Sequence, residues 1–449
     1  MMMTSRERVR LALEHKEPDC VPLDLSATTV TGMHVDTVYR LRQALDLDAP
    51  GTPVKILEPF QMLGEVKPDL LNALAIDTAL VSGTGTAFGF PLVGWKEWKT
   101  FGGTPALVPT GFNTRPEPNG DLLLYPQGDR SAPASGRMPQ GGFYFDAIVR
   151  QKPFKEEELR VEDNVEEFSV FSDLEIEHFR RRAEELYIQT DKALVLNLGA
   201  LSLGNIARIP GPGLKCPRGI RDVEEWYISL SARREHIYKI FERQTEINMV
   251  NLEKISAAVG NRVAVAYLTG TDFGAQNGPF VSPLTYRNLF LPFHKQVNDW
   301  VHRNTTWKTF IHSCGSVWAL LEDFIAAGFD ILNPVQCSAA HMNPFDLKGK
   351  YGGRLTFWGG GIDTQSTLPF GSPQEVREEV RERIRAFAPG GGFVFNAVHN
   401  VQVLVPVENV LAMYRAAREY GTYPLRMDRA PSLTAVGSRQ YAVGSRQKT

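Results

Sequence analysis

Eight short apolar runs, separated along the chain by stretches with helical spacing, are the feature that most constrains the fold. The runs are rich in β-favouring residues, and near-continuous apolar strands that alternate with helices are typical of a parallel sheet covered on both faces. Eight such units favour a closed (β/α)8 barrel of the TIM type, within the α/β class. The predicted strands are residues 20–25, 76–81, 193–199, 262–270, 307–312, 329–336, 354–360 and 391–398.

A doubly wound open sheet is the alternative architecture for this pattern. Sheets of that kind usually place a glycine-rich phosphate-binding turn directly after the first strand. Residues 25–29, at the end of the first predicted strand, read Leu-Ser-Ala-Thr-Thr and contain no glycine. The barrel is therefore preferred, and 449 residues is a length that barrels with insertions reach.

Two segments depart from the strand and helix alternation. Residues 83–150 are crowded with glycine, proline and aromatic residues and include a Pro-Asn-Gly-Asp turn, which predicts short antiparallel strands inserted over one mouth of the barrel. Residues 426–449 repeat the hexamer Ala-Val-Gly-Ser-Arg-Gln at 435–440 and 442–447, and we expect a disordered tail there. A single barrel domain is thus predicted over residues 1–425.

Composition narrows the class of function. A formal net charge of -2 gives no electrostatic reason for binding nucleic acid or a membrane surface. No uninterrupted apolar run is long enough to cross a bilayer, and four cysteines in so long a chain do not make a disulfide framework. We therefore expect a soluble, cytoplasmic protein that acts on small molecules.

The fifth predicted strand ends in a pair of metal-ligand side chains. His312 and Cys314 are two residues apart, so in an extended chain both project from one face toward a point beyond the strand end. An imidazole nitrogen beside a sulfur suits Zn²⁺ better than the other common metals.

Further ionisable and amide residues follow the neighbouring strands, where a barrel of this type carries its chemistry. Cys337 and His399 could complete a metal site with His312 and Cys314. Asp272 and Asp363 could orient imidazoles or act as general acid and base groups. The amide side chains expected to bind substrate are Gln276, Asn333, Gln336, Asn396 and Gln402.

Several segments resemble a known family. They are Gly-Thr-Asp-Phe-Gly-Ala-Gln at 270–276, Phe-Ile-His-Ser-Cys-Gly at 310–315, Phe-Trp-Gly-Gly-Gly-Ile-Asp-Thr-Gln at 357–365, and shorter segments at 6–9, 22–24 and 399–409. On these, the chain from about residue 5 to 422 resembles the uroporphyrinogen decarboxylase superfamily, specifically its zinc-dependent, corrinoid-linked methyltransferases such as the methylcobamide:coenzyme M methyltransferases. The resemblance implies an eight-stranded barrel with the site at its carboxyl mouth.

The resemblance also implies a ligand set. The methyltransferases bind zinc with a His-x-Cys pair after the fifth strand and a cysteine after the eighth, and here His399 stands at the position of that last cysteine. His312, Cys314 and His399 are then the ligands, with Cys337 as an alternative third or a fourth ligand. The decarboxylase proper grips porphyrin carboxylates with the stretch Met-Arg-Gln-Ala-Gly-Arg-Tyr, which is missing after Pro22, so porphyrin decarboxylation is disfavoured.

Three hypotheses follow. The leading one is a zinc methyltransferase that moves a methyl group between a corrinoid (cobalamin) on a partner protein and a thiol or other small molecule, demethylation included. The second is a metal-free decarboxylase or lyase acting on a small carboxylate substrate, with Arg208, Arg262 or Arg354 as anchors. The third is a non-catalytic corrinoid- or ligand-binding protein. The methyl donor, the acceptor and the oligomeric state, a homodimer included, stay open.

Overall fold

The computed structural model describes residues 3–198 and 202–425, so the predicted tail at 426–449 lies outside the described residues. The strands are β1 Val54–Glu58, β2 Leu63–Gly64, β3 Thr78–Ser82, β4 Trp95–Lys99, β5 Pro105–Pro109, β6 Thr114–Pro116, β7 Leu122–Leu124, β8 Gly136–Met138, β9 Asp146–Ala147, β10 Ala193–Asn197, β11 Val263–Thr269, β12 Lys308–His312, β13 Ile331–Asn333, β14 Thr356–Trp358 and β15 Phe393–Val394.

The α-helices are α1 Ser5–Leu13, α2 Val35–Ala44, α3 Pro68–Ala73, α4 Asp173–Gln189, α5 Val223–Ala232, α6 Arg234–Val259, α7 Pro283–Leu289, α8 Leu291–Asn304, α9 Leu321–Ala326, α10 Pro344–Tyr351, α11 Thr367–Phe370, α12 Pro373–Phe387 and α13 Val407–Tyr420. Within the described residues, no helix combines the length and apolarity needed to cross a membrane.

A seven-stranded parallel sheet forms the centre of the molecule. Its strand order is β15-β14-β13-β12-β11-β10-β3, so each strand from β10 onward pairs with the next one along the chain. Inward-facing Val195, Tyr267, Phe310, Ile331 and Trp358 pack together inside the curled sheet. This arrangement is consistent with a TIM-like fold and confirms the positions of seven of the eight predicted strands.

The first predicted strand, residues 20–25, connects the two edges of the sheet without forming a regular strand. The Asp77 N–H donates to Leu23 O at 2.8 Å beside β3, and the Asp24 N–H donates to Phe395 O at 2.8 Å beside β15. Isolated bridges at Cys20 and Leu23 replace a continuous ladder. Pro22 has no N–H, which removes one bond that a regular strand would make.

The later strands are shorter than their apolar runs. The structure ends β13 at Asn333, before Pro334, and β14 at Trp358, before Gly359 and Gly360 with φ of +91° and +77°. Proline lacks an N–H, and a left-handed backbone turns away from the strand direction. The regular strands therefore end before the predicted runs do, and the ends of these two strands were predicted wrongly.

Short strands also occur between residues 54 and 147. They form two four-stranded sheets with orders β2-β1-β5-β4 and β6-β7-β8-β9. The first of these sheets begins at Val54, so short strands occur both before and within the predicted segment 83–150. The insertion of that segment over the mouth of the barrel stays a prediction. Phe145 packs edge to face against Phe88 and against Phe112, and these rings give the region its own apolar contacts.

Candidate metal centre

Three potential metal ligands meet at the carboxyl end of the parallel sheet. His312 is the last residue of β12, Cys314 follows two residues later, and His399 lies in the segment after β15. The ligand atoms of all three lie within 4.8 Å of one another. The Cys314 Sγ is 3.5 Å from His312 Nε2, and the two imidazole ring centroids are 5.4 Å apart. This spacing allows one cation to contact all three side chains.

Hydrogen bonds fix the His312 tautomer. Asn333 Nδ2 donates to Trp358 O at 2.8 Å, so the amide oxygen of Asn333 faces His312 and accepts from Nδ1 at 2.6 Å. The proton of the neutral ring therefore sits on Nδ1, and the Nε2 lone pair faces Cys314 and His399. A ring held this way presents its free nitrogen to a metal.

The imidazoles are in their metal-binding form. Burial lowers the pKa of His312, with Asp272 acting in the opposite direction. Burial, with a smaller contribution from His312, lowers the pKa of His399 to about 3. Burial and the nearby Asp272 carboxylate raise the pKa of the Cys314 thiol. At neutral pH both rings are uncharged, and the thiol keeps its proton until a cation displaces it.

Asp272 holds the segment that carries Cys314. Its Oδ1 accepts the Cys314 N–H at 2.7 Å and lies 3.7 Å from His312 Nε2. The loops after β11 and β12 are in close contact, since a Cβ at Gly315 would lie 2.3 Å from Gly274 O, and the Gly315 φ is +82°. Only glycine at position 315 allows the two loops to come this close, and their contact keeps Asp272 next to the Cys314 thiol.

Cys337 does not join the group of three. Its Sγ donates to Val335 O at 3.5 Å, and the charges nearest the thiol are those of Arg383, Glu379 and Asp363. Burial raises its pKa to about 11. The strand that precedes Cys337, β13, ends at Asn333, and the chain then turns so that the thiol faces Arg383 and Glu379 on α12. The structure therefore separates Cys337 from the set of ligands in which sequence reasoning had included it.

Asp363 is likewise occupied elsewhere. Its Oδ1 accepts the N–H groups of Gln365 at 2.7 Å and Ser366 at 3.0 Å, and its own N–H donates to Glu379. A carboxylate used in this way closes the turn before α11. Asp272, by contrast, lies beside His312. The roles predicted for Asp363, orienting an imidazole or acting as a general acid or base, stay predictions.

The predicted amide residues hold loops together. Gln336 accepts the Gly315 N–H at 2.8 Å and donates to Gln276, which in turn donates to Ser338 O in the same loop as Gln336. Asn396 is buried and donates to Asp24 O at 2.7 Å, and Gln402 accepts from the hydroxyl of Tyr144. Their role in binding substrate stays a prediction.

Sequence reasoning missed Tyr267. It is buried on β11, and it points into the barrel with Phe310 and Trp358, at the level just below His312. A signal was present in the sequence, because Tyr267 precedes Asp272 on a strand already predicted, and alternation along that strand places it on the inner face.

The fold and the site together define a class: a curled parallel α/β sheet of TIM-like form with a two-histidine, one-cysteine group at its carboxyl end. Residues 218–420 match the family model described as uroporphyrinogen decarboxylase (URO-D), a range that contains β11 to β15 and all three ligand candidates. A curated relative, the uroporphyrinogen decarboxylase of Anaeromyxobacter dehalogenans (strain 2CP-C), is 24% identical over 189 residues.

That alignment covers 41% of this chain and 48% of the relative, so it spans about half the length of the curated protein. A solved structure, a methyltransferase from Methanosarcina mazei, is similar over 93% of this chain and 99% of its own, with a TM-score of 0.53 and 14% identity. At that identity the likeness shows a shared fold. The family model and the curated relative thus show a similarity to uroporphyrinogen decarboxylase over part of this chain, as the sequence motifs had indicated, and the solved structure adds the likeness in fold.

Proposed function

We propose that this protein is a zinc-dependent methyltransferase of the uroporphyrinogen decarboxylase superfamily. His312, Cys314 and His399 would hold Zn²⁺, and the methyl group would pass between a corrinoid carried by a partner protein and a small-molecule substrate or thiol. The observation that carries the proposal is the convergence of three ligand atoms within 4.8 Å. The methyltransferase fold of the solved neighbour is in keeping with it.

The donor set fits zinc. One sulfur and two imidazole nitrogens are ligands that Zn²⁺ prefers, and three protein ligands leave a coordination position open for substrate. Zn²⁺ at this place would lower the pKa of a bound thiol or polarise a bound oxygen. Histidine donates less charge than thiolate, so a site with His399 in place of a second cysteine makes the metal a stronger Lewis acid.

The chain's own residues prepare the site. Asn333 keeps the proton of His312 on Nδ1, which leaves Nε2 free. Asp272 accepts the Cys314 N–H and lies beside the thiol, so its carboxylate can take the thiol proton when Sγ becomes a ligand. Orientation and proton removal are thus both provided before any substrate arrives.

The metal-free decarboxylase is the second candidate, and the placement of arginines bears on it. Arg262 and Arg354 precede β11 and β14 and lie at the amino ends of the strands, on the opposite side from the ligand group. Arg354 is paired with Glu322 at 2.8 Å. Of the three anchors considered, only Arg208 follows a strand at its carboxyl end. Two of the three arginines considered as carboxylate anchors for that reaction therefore lie at the opposite end of the strands from the candidate site.

Metal analysis tests the leading proposal. We expect about one zinc per chain in protein purified without chelator, and a loss of most of it in Cys314→Ser and His399→Ala, because each removes a ligand. Cys337→Ser is the matched control and should keep the wild-type zinc content. Zinc-free wild-type protein that takes up no zinc from buffer, or a Cys314→Ser variant with unchanged zinc, would contradict the proposal.

A reaction assay separates the two candidates. Zinc-loaded protein should consume methylcobalamin in the presence of a suitable thiol, seen as a change in the corrinoid absorption spectrum, and a chelator should stop it. Release of carbon dioxide from a small acid, insensitive to chelator, would favour the decarboxylase instead.

A further inference from the structure

The third ligand candidate, His399, lies on a segment outside the parallel sheet, beyond the end of β15 at Val394. His312 and Cys314 are fixed by hydrogen bonds from the ends of the neighbouring strands. Among the described residues, the His399 ring has its aromatic contact with the His312 ring, at 5.4 Å between centroids, and no hydrogen bond. The position of this imidazole therefore depends on the backbone that carries it.

The next residue, Asn400, ties that backbone to two other stretches of the chain. Its Oδ1 accepts the Gly32 N–H at 2.5 Å. Its Nδ2 donates to Thr29 O at 3.0 Å and to Gln61 Oε1 at 2.8 Å. The side chain is buried, with 1% of it exposed, so breaking these bonds would leave polar groups without partners. Asn400 thus holds the segment after β15 against the residues that follow the first predicted strand.

The backbone beside Asn400 adds little to this connection. The Val401 N–H donates to Gly32 O at 2.9 Å, and the His34 N–H donates to Val401 O at 2.9 Å. These bonds form an isolated parallel bridge and not a longer ladder. Because the backbone pairing is so short, the bonds of the Asn400 side chain carry a large share of the attachment next to His399.

We propose that Asn400 is a positioning residue for the third metal ligand: it keeps His399 within reach of His312 and Cys314 by tying the segment after β15 to residues 29–32. The amide of Asn400 is already hydrogen-bonded through both its oxygen and its nitrogen, so it acts through the imidazole and not as a ligand. Residues that orient a ligand in this way strengthen metal binding without touching the metal. The inference rests on the proposed function, since it takes His399 as a ligand.

A double-mutant cycle tests whether Asn400 acts through His399. Competition with a chromophoric chelator gives the dissociation constant for zinc in the wild type, Asn400→Ala, His399→Ala and the double variant. Asn400→Ala should raise this constant by about tenfold in the wild-type background. In the His399→Ala background it should change the constant by less than about twofold, because the group it positions is already gone. A tenfold loss in both backgrounds, or no loss in either, would overturn the proposal.

Asn251→Ala is the matched control for loss of a buried, bonded amide. Asn251 Oδ1 accepts the Phe171 N–H at 2.7 Å and its Nδ2 donates to Ser169 O at 2.9 Å, in the half of α6 that leads into the start of β11. This variant should lower the urea midpoint much as Asn400→Ala does and keep the zinc affinity of the wild type. Equal losses of zinc affinity in the two variants would show general destabilisation and contradict positioning.

A milder variant covers the case in which Asn400→Ala does not fold. Asn400→Asp keeps an oxygen for the Gly32 N–H and loses both donated bonds, so it replaces Asn400→Ala in the same cycle. Where both variants fold, Asn400→Asp should retain part of the zinc affinity that Asn400→Ala loses.

Failure of the metal proposal is distinguishable from failure of this one. If the wild type binds no zinc, or His399→Ala binds it like the wild type, the position of His399 is measured on metal-free protein. Diethyl pyrocarbonate modifies neutral imidazoles that solvent reaches, and peptide mass spectrometry gives the rate at each histidine. His399 should react roughly threefold faster or more in Asn400→Ala, through local opening of its segment, while His302 on α8 keeps its rate. An unchanged rate at His399 would overturn the positioning role.

Discussion

At the scale of single residues, the hydrogen bonds around His312 matter most for the candidate metal centre. The Asn333 amide nitrogen donates to Trp358 O, and its amide oxygen accepts from His312 Nδ1. These two hydrogen bonds determine which nitrogen of the His312 ring is free. The sequence indicated Asn333 as a substrate contact, because an amide at a strand end is typical of a polar pocket. Its neighbours across the sheet let it position His312, and sequence order does not reveal those neighbours. The predicted contact of Asn333 with substrate stays a prediction.

We expect Asn333→Ala to weaken zinc binding. Without the acceptor, the His312 proton is free to move to Nε2, so the dissociation constant for zinc should rise by roughly 10- to 100-fold. Competition with a chromophoric chelator measures it. Asn304→Ala, at an exposed asparagine on α8 that bonds only within its own helix, is the control and should bind zinc like the wild type. An unchanged affinity in Asn333→Ala would show that the ring is held by other contacts.

At the scale of elements, local sequence predicts helix starts well. Helix α12 begins after Ser372, whose side chain accepts from the Glu375 N–H while Glu375 returns a bond to the Ser372 backbone, and Pro373 stands at the first helical position. All of these signals lie within four residues, so they can be read without knowledge of the fold. The strand ends are harder, because a strand stops where its neighbour in the sheet stops bonding.

Ser372→Ala should lower the free energy of unfolding by about 1 kcal/mol, because the Glu375 N–H at the start of α12 loses the side-chain oxygen that accepts from it. Urea denaturation followed by circular dichroism measures this change. Ser366→Ala is the matched control, since Ser366 precedes α11 without capping it through its side chain, and should change the free energy by less than about 0.5 kcal/mol. Equal effects in the two variants would argue against the cap.

At the scale of the whole molecule, a buried carboxylate links the segment between the sheet edges to the sheet itself. Asp24 accepts from the Thr78 hydroxyl at 2.6 Å on β3 and from Trp358 Nε1 at 2.8 Å on β14. Burial raises its pKa above the ordinary value, with the hydrogen bonds acting in the opposite direction. The folded state therefore holds the Asp24 proton more tightly than the unfolded state does.

This sign gives a pH prediction for Asp24→Asn. The wild-type protein should lose the stability that Asp24 contributes as the pH rises from the unfolded pKa through the folded one, while the variant has no group to titrate there. Asp24→Asn should therefore lower the free energy of unfolding, relative to the wild type, by more near pH 5 than near pH 8. The difference between the two pH values reflects the stability that the wild type loses as Asp24 titrates. Denaturation at both values measures it. A deficit that grows with pH would show that Asp24 is charged in the folded state.

The sequence alone determined the local parts of this protein. Apolar runs alternating with helical spacing indicated a parallel α/β sheet, and the His312-x-Cys314 spacing placed two ligands on one face, because both properties depend on residues close together in the chain. Only the tertiary structure decided among the distant partners. It brought His399 within reach of that pair, turned Cys337 toward α12, and used Asp363 to close a turn. Strand curvature and the turns after each strand set these distances, and they arise from packing across the whole sheet.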